Sequence, residues 1–184
     1  MKLSFIIPAW NEETLLGATI QSIQQAAAKF EHEIIVADDA SDDRTVEIAK
    51  ELGAKVVSCN NRQIGLTRND GASVANGDLL IFVDADTIVS IEVVRETVEA
   101  IKNGAVAGGS FPVFDGDIPF FAKILTPTLR VTFKILRVAA GAYMFCTPES
   151  FEKADRFDPK FFAAEEVHLS NKLHKFGAYK TINS

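Results

Sequence analysis

The stretch Leu79-Leu80-Ile81-Phe82-Val83-Asp84-Ala85-Asp86 decides the fold. Five apolar residues in a row read as a short strand buried on both faces. The strand runs straight into two carboxylates spaced i and i+2. Working outward, the same grammar recurs. Residues 3–7 are apolar but for Ser4 and end at Pro8; residues 33–37 run into Asp38-Asp39; residues 55–58 make a third strand. Between them the apolar spacing turns helical over 12–29, 42–52, 66–75 and 91–102, with Ser41 placed to cap the second helix. Apolar strands alternating with amphipathic helices predict an α/β fold: a mostly parallel central sheet with helices on both faces, Rossmann-like in its winding.

Beyond Ala105 the rhythm loosens. Residues 106–113, 142–147 and 179–182 read as strands, and 151–154 and 165–176 as helices. No repeat, linker or low-complexity tract interrupts the 184 residues, so one domain is expected over 1–184. Hydrophobic residues are 47% and charged residues 24%, which excludes a disordered or collagen-like chain. With 19 Lys+Arg against 25 Asp+Glu the net charge is −6, opposite to that of a general nucleic-acid binder. Cys59 and Cys146 stand far apart in apolar runs, with no CxxC and no Cys/His cluster. Two buried reduced thiols fit better than zinc or a disulfide, and they suit the cytoplasm. The opening apolar run is too short for a signal peptide, and nothing approaches the ~20 apolar residues of a membrane span.

The polar residues gather where ligands bind in open parallel sheets, beyond the carboxyl ends of the strands. Strand one leads to Pro8-Ala9-Trp10-Asn11-Glu12, strand two to Asp38-Asp39, strand four to Asp84-Ala85-Asp86. Paired carboxylates suit a hard divalent ion, Mg²⁺ or Mn²⁺, that shares phosphate oxygens with the protein. An Asp-x-Asp also caps a strand-to-helix turn, and Asp38-Asp39 also caps a helix. Three acidic strand ends in one sheet favour the ligand reading. Gly-x-Gly-x-x-Gly, Gly-Lys-Ser/Thr and Gly-x-Ser-x-Gly are all absent from the sequence.

Four blocks in order carry a resemblance: 4–13, 35–45, 65–86 and 157–169. Together they resemble the family 2 inverting glycosyltransferases of the GT-A fold, which use nucleotide-sugars. The resemblance implies roles by position. Pro8, Ala9, Trp10 and Glu12 would line the nucleoside pocket, with Trp10 where Tyr is common. Asp39 would contact the base beside Asp38, and Arg68 would be the basic residue of the nucleotide pocket. Asp86 would be the direct metal ligand, Asp84 a ribose or metal partner, and Ala85 between them a further residue of the nucleotide-sugar site. Glu166, beside Glu165, would be the general base; the family usually places an Asp there. The implied reaction moves a sugar from a nucleoside-diphosphate donor to an acceptor hydroxyl, on a cell-envelope glycan, polysaccharide or lipid-linked molecule. Residues 1–104 would form the donor half and 105–184 the acceptor and base half. Relatives often continue into a basic, aromatic closing motif that is not visible before Ser184, so the second half is expected to be short.

Residues 118–148 carry four positive charges and no acid, leaving −10 for the rest. Arg130, Lys134 and Arg137 share one helical face. Three readings stay open: a peripheral membrane contact through 118–140 at the inner face of the membrane, a packed helix with a solvated basic face, or a contact to donor phosphates. His168, two residues after Glu166, reads as a group behind the base, a surface residue or an acceptor contact. Two other functions compete: a non-catalytic nucleotide-sugar-binding module, and a sugar-1-phosphate nucleotidyltransferase. The latter normally has a Gly-rich basic loop after strand one, where this chain has Pro8–Glu12.

Overall fold

The computed structural model describes residues 1–110, 142–162 and 164–182. The segment 118–140 lies outside these residues. Seven strands form one sheet in the order β3-β2-β1-β4-β6-β5-β7. They are β1 (Leu3–Ala9), β2 (His32–Asp38), β3 (Lys55–Ser58), β4 (Leu79–Val83), β5 (Ala105–Ser110), β6 (Tyr143–Cys146) and β7 (Ala178–Ile182). β1 pairs in parallel with β2 and β4, and β2 with β3. β6 runs antiparallel to both β4 and β5, while β5 and β7 are parallel. The mostly parallel sheet expected from the sequence is present, with β6 the one reversed strand among those described.

Helices cover both faces. α1 (Leu16–Ala26), α2 (Thr45–Glu51) and α4 (Ile91–Lys102) lie on one side. There Leu16, Ile20, Ile23, Ala49, Val94 and Val98 pack on Leu3, Phe5, Ile7 and Val36. α5 (Pro148–Lys153) and α6 (Glu165–Leu173) lie on the other side, where Phe151, Leu169 and Leu173 join Ile6, Leu80 and Phe82. Alternation along each strand sorts these residues between the two cores. α3 (Ile64–Ser73) shares the second side and packs very close to the sheet. A Cβ added at Gly71 would stand 2.6 Å from Ile6 Cγ2, so only glycine allows that approach.

Three sequence expectations shift. α1 begins at Leu16 rather than residue 12, because the loops after β1 and β2 lock together first. Glu12 N–H donates to Thr45 Oγ1 at 2.8 Å and Glu13 N–H to Asp43 Oδ2 at 3.0 Å. Ser41 does not cap α2: its hydroxyl accepts from Asn11 N–H at 2.9 Å, and the Thr45 N–H goes to Asp43 at 2.9 Å. α3 starts at Ile64, two residues before the expected start, so Gln63 precedes it. Caps behave more simply elsewhere. Ser90 accepts from Val93 N–H at the head of α4, and Thr147 accepts from Ser150 N–H before Pro148 opens α5.

Candidate functional site

The ends of β1, β2 and β3 open onto a cleft of about 440 Å³ lined by Pro8, Ala9, Trp10, Glu12, Asp39 and the start of α3. Asp39 is fixed on two sides. Its N–H donates to Ala9 O at 2.8 Å, and its Oδ1 accepts from Asn61 N–H at 2.6 Å. Asn61 in turn donates to Asp70 at 2.7 Å. Asp38 is also buried, but alternation sends it to the opposite sheet face, where it accepts from Ser41 N–H at 3.4 Å. It does not line the cleft.

Each of the three strand exits contains a non-glycine residue in the left-handed region: Asn11 at φ 55°, Ala40 at φ 59° and Arg62 at φ 53°. Ala164, immediately before Glu165, is a fourth at φ 61°. Such backbone costs of order 1 kcal/mol or more per residue and persists where surrounding contacts impose it. Here the inter-loop hydrogen bonds impose it on Asn11, whose side chain exchanges two bonds with Asp42 at 2.7 and 3.0 Å.

A second cluster of acids lies behind the cleft and is organised by one cation. Arg68 is almost fully buried, at 1% exposure. Its guanidinium donates to Asp84 Oδ1 at 2.7 Å, Glu165 Oε1 at 2.9 Å and Glu166 Oε1 at 2.9 Å. Phe157 lies 5.4 Å from the guanidinium carbon, within a buried group that includes Phe82 and Phe151. The resemblance gives Arg68 to the nucleotide pocket; here its charge is already engaged by three carboxylates and it does not line the cleft. Glu165 is buried at 4% exposure, whereas the Glu166 side chain keeps 15%. Of the two candidate catalytic acids, only Glu166 retains a route to solvent.

α3 holds this cluster in place. Gln63 Nε2 donates to Pro159 O at 2.8 Å and Phe161 O at 2.9 Å. Asn69 exchanges two hydrogen bonds with the Phe157 backbone, at 2.9 and 3.1 Å. Gly65 packs closely on the same loop, since an added Cβ would lie 3.3 Å from Phe157 Cβ. The loop leading into α6 is thus fastened to the first half of the chain before Glu165 and Glu166 emerge from it. His168 stacks on Phe161 at 4.2 Å and faces Asp158 Oδ2 at 3.8 Å.

Asp84 and Asp86 follow β4 as expected. Ala85 between them is buried, and its carbonyl accepts from Thr19 Oγ1 of α1 at 2.7 Å. Burial pushes Asp84 above the ordinary carboxylate range; Arg68 opposes this, while Glu166 and Asp86 add to it. Glu12 is also raised, by burial and then by Asp86, Asp43 and Asp84. Glu165 is raised by burial and by Glu166 against the pull of Arg68. The acids around the cleft therefore feel one another without full compensation. Among the described residues, no three His, Cys, Asp or Glu side chains form a ready-made metal cage. Cys59 and Cys146 are both buried free thiols, as expected. The Cys59 thiol is pushed up to about 12 by burial and by its acidic neighbours, so it is no nucleophile at neutral pH.

Arg62, Gln63, Ile64 and Thr67 also line the cleft and were not singled out from the sequence. The rule that found the other strand exits would have found them, since they follow β3. That exit carries no acid pair to draw attention to it.

An open, mostly parallel sheet with this topology is the architecture of GT-A glycosyltransferases. Residues 4–153 match the family model described as glycosyl transferase family 2, and the chain belongs to that family. It is 38% identical over 135 residues to the dolichol-phosphate mannosyltransferase of Pyrococcus furiosus, covering 68% of this chain and 38% of that protein. The fold superposes on the crystal structure of S. aureus TarS 1–349 with a TM-score of 0.75 at 21% identity, covering 99% of this chain and 58% of that one. It also superposes on glucosyl-3-phosphoglycerate synthase from Mycobacterium tuberculosis in complex with Mn²⁺, UDP and glucosyl-3-phosphoglycerate. There the TM-score is 0.71 at 23% identity, over 99% of this chain and 69% of that one. The chain thus spans well under half of its mannosyltransferase relative. Among the described residues, no helix is long and apolar enough to cross a membrane.

Proposed function

We propose that this chain transfers a sugar from a nucleoside-diphosphate sugar to an acceptor hydroxyl, with inversion at the anomeric carbon. One observation carries the reading. Asp84 at the end of β4 and Glu166 at the head of α6 hold the same guanidinium, at 2.7 and 2.9 Å. A carboxylate with access to solvent is thereby fixed beside the acids of the strand ends, where a donor diphosphate would lie. Residues 1–104 would bind the donor, and 105–184 would supply the base and the acceptor side.

The donor's nucleoside occupies the cleft, against Pro8, Ala9 and Trp10, with Glu12 at its edge and Asp39 accepting from the base. The oxygen chemistry of Asp84 and Asp86 fits a hard divalent ion. Asp84 offers Oδ2 beyond the oxygen that Arg68 takes, and Asp86 is exposed with no hydrogen bond or ion pair among the described residues. Mg²⁺ typically uses only one or two protein carboxylates, so a larger cage is not required. When bound there, Mg²⁺ or Mn²⁺ supplies positive charge for the leaving diphosphate. Glu166 takes the proton of the acceptor hydroxyl. The oxygen bonds to the anomeric carbon while the bond to the diphosphate oxygen breaks, and the nucleoside diphosphate leaves with that electron pair. A single displacement gives inversion and needs no covalent nucleophile. Arg68 and Glu165 do not touch the reacting atoms; they hold Glu166 in place. The acceptor is a glycan or lipid-linked hydroxyl of the cell envelope, and the relative named for dolichol-phosphate supports that class.

Calorimetric titration of UDP, GDP and dTDP, with and without Mn²⁺ or Mg²⁺, tests this on the wild type and Asp86→Ala. We expect one diphosphate to bind with metal dependence that the variant loses. Failure of all three to bind the wild type would sink the reading. Glu166→Gln should bind that diphosphate normally yet transfer sugar roughly a hundredfold or more slowly; unchanged transfer would favour a different base.

A further inference from the structure

The donor cleft contains a cation that the resemblance does not assign. Arg62 follows β3 and lines the cleft with Trp10 and Asp39. Its guanidinium carbon sits 5.1 Å from the centroid of the Trp10 ring. No carboxylate pairs with it among the described residues, although Glu12 and Asp39 line the same cleft. Its backbone is held at φ 53°, in the left-handed region, and the preceding residue, Asn61, is tied to Asp39 by a 2.6 Å hydrogen bond. The loop therefore places Arg62 at the Asp39 end of the cleft. Trp10 is 55% exposed and is the single tryptophan of the chain.

Arg68 presents the opposite picture. It is the basic residue implied for the nucleotide pocket, but three carboxylates engage it away from the cleft. Among the described residues lining the cleft, Arg62 is the one cation. Resting on the donor-site reading above, we propose that Arg62, stacked with Trp10, is the arginine that binds the donor, and that it does so by covering the nucleobase. A planar guanidinium lying over an indole presents its outer face as a flat, polarisable surface on which any base can stack. Asp39 supplies the polar contact at the base edge. Asp84 and Asp86, the acids assigned to the diphosphate, do not line the cleft beside Arg62, whereas Asn61 next to it is bound to Asp39, which puts Arg62 on the base side.

The test uses the full chain, with UDP, GDP and dTDP and the matching nucleosides as probes. Trp10 fluorescence and calorimetry are the readouts. For the nucleotide that the wild type binds, Arg62→Gln should weaken binding roughly tenfold, the scale of one base stack. The free nucleoside should lose affinity by the same factor. Arg62→Lys should not restore binding, because Lys keeps the charge without the plane. Base binding to the wild type should change Trp10 emission. Arg62→Asn, which tolerates left-handed backbone, serves as a second variant should Gln unfold the loop. Wild-type affinity in the Arg62 variants would overturn the assignment while leaving the donor site standing. Full rescue by Lys, or an unaffected nucleoside, would move the contact to phosphate and overturn it as well. A wild type that binds none of the nucleotides would overturn both the donor reading and this assignment.

Discussion

Arg62 and Arg68 stand six residues apart at the two ends of one structural problem. The first lies over an exposed tryptophan in an open cleft; the second is sealed against three carboxylates and a phenylalanine. In the open region charges keep water as an alternative partner, so each contact is weak and can be traded for a ligand. In the sealed region the alternative is an unpaired buried charge, so the contacts cannot be exchanged cheaply. The molecule thus separates adaptable recognition from rigid placement, and α3 borders both.

The largest effect should come from breaking the sealed region. Arg68→Met leaves Asp84, Glu165 and Glu166 facing one another without a cation, and removing one partner of a buried pair typically costs about 3–5 kcal/mol. Chemical denaturation should show a matching fall in the unfolding midpoint. A loss below about 1 kcal/mol would mean that water reaches these carboxylates, as it does exposed pairs.

Glu166→Gln sharpens the contrast, because it should alter chemistry while sparing the fold. The amide oxygen can still accept from Arg68, but the side chain no longer takes a proton. Transfer should fall by roughly a hundredfold or more, the usual scale for a general base, with the unfolding midpoint little changed. Steady-state rates and denaturation on the same preparation decide this. A large stability loss with modest kinetic effect would recast Glu166 as structural.

Asn69→Ala probes the fastening between the two halves. It removes the exchanged pair of hydrogen bonds with Phe157 and leaves that backbone N–H without its partner, at a cost of about 1–3 kcal/mol. The loop before α6 should exchange amide protons faster, while the loops after β1 and β2 stay protected. Uniform loosening of the whole sheet would show that Asn69 serves the core rather than the loop.

How much of this was legible in the sequence follows from the range of the forces. β4 is written as an uninterrupted apolar run, and β1 and β2 as short runs broken or edged by few polar residues; the acidic ends lie on the page as Asp38-Asp39 and Asp84-Ala85-Asp86. The reversed β6 was not legible: Tyr-Met-Phe-Cys is apolar throughout, and a fully buried strand carries no mark of its direction. The start of α1 was misplaced because hydrogen bonds to residues 43 and 45 override helical spacing at residues 12–13. The environment of Arg68 was hidden for the same reason. Its partners lie 16, 97 and 98 residues away, and only the packed fold brings them together. Arg62 carries no mark of its place in the sequence, because β3 is short and half-exposed and its exit has no acid pair.

The smallest expected effect is a pH dependence that the uncompensated acids impose on stability. Asp84, Glu165 and Glu12 are all raised, chiefly by burial and then by neighbouring acids, Glu166 for Asp84 and Glu165, and Asp86 for Asp84 and Glu12. For a carboxyl whose folded value exceeds its unfolded one, the native state holds more protons between the two values, and stability falls as pH rises through the folded value. Mild acid should therefore stabilise the protein. Glu33 and Asp43 act in the opposite sense. Hydrogen bonds from Ser4 and the Asn76 N–H outweigh the burial of Glu33, and those from Thr45 do so for Asp43, lowering both. Their stability is lost only as pH drops through and below the ordinary carboxylate range. The unfolding midpoint should thus be higher at a mildly acid pH, just above the ordinary carboxylate range, than at neutral pH, and should fall again in stronger acid. Glu165→Gln should shrink the first difference by removing a raised acid from the sealed region. Glu12→Gln should shrink it less, because Glu12 borders the open cleft where water screens its neighbours. Equal midpoints at the two pH values would show that Arg68 neutralises the cluster completely. The sealed and open regions would then differ in exposure alone, not in stored repulsion.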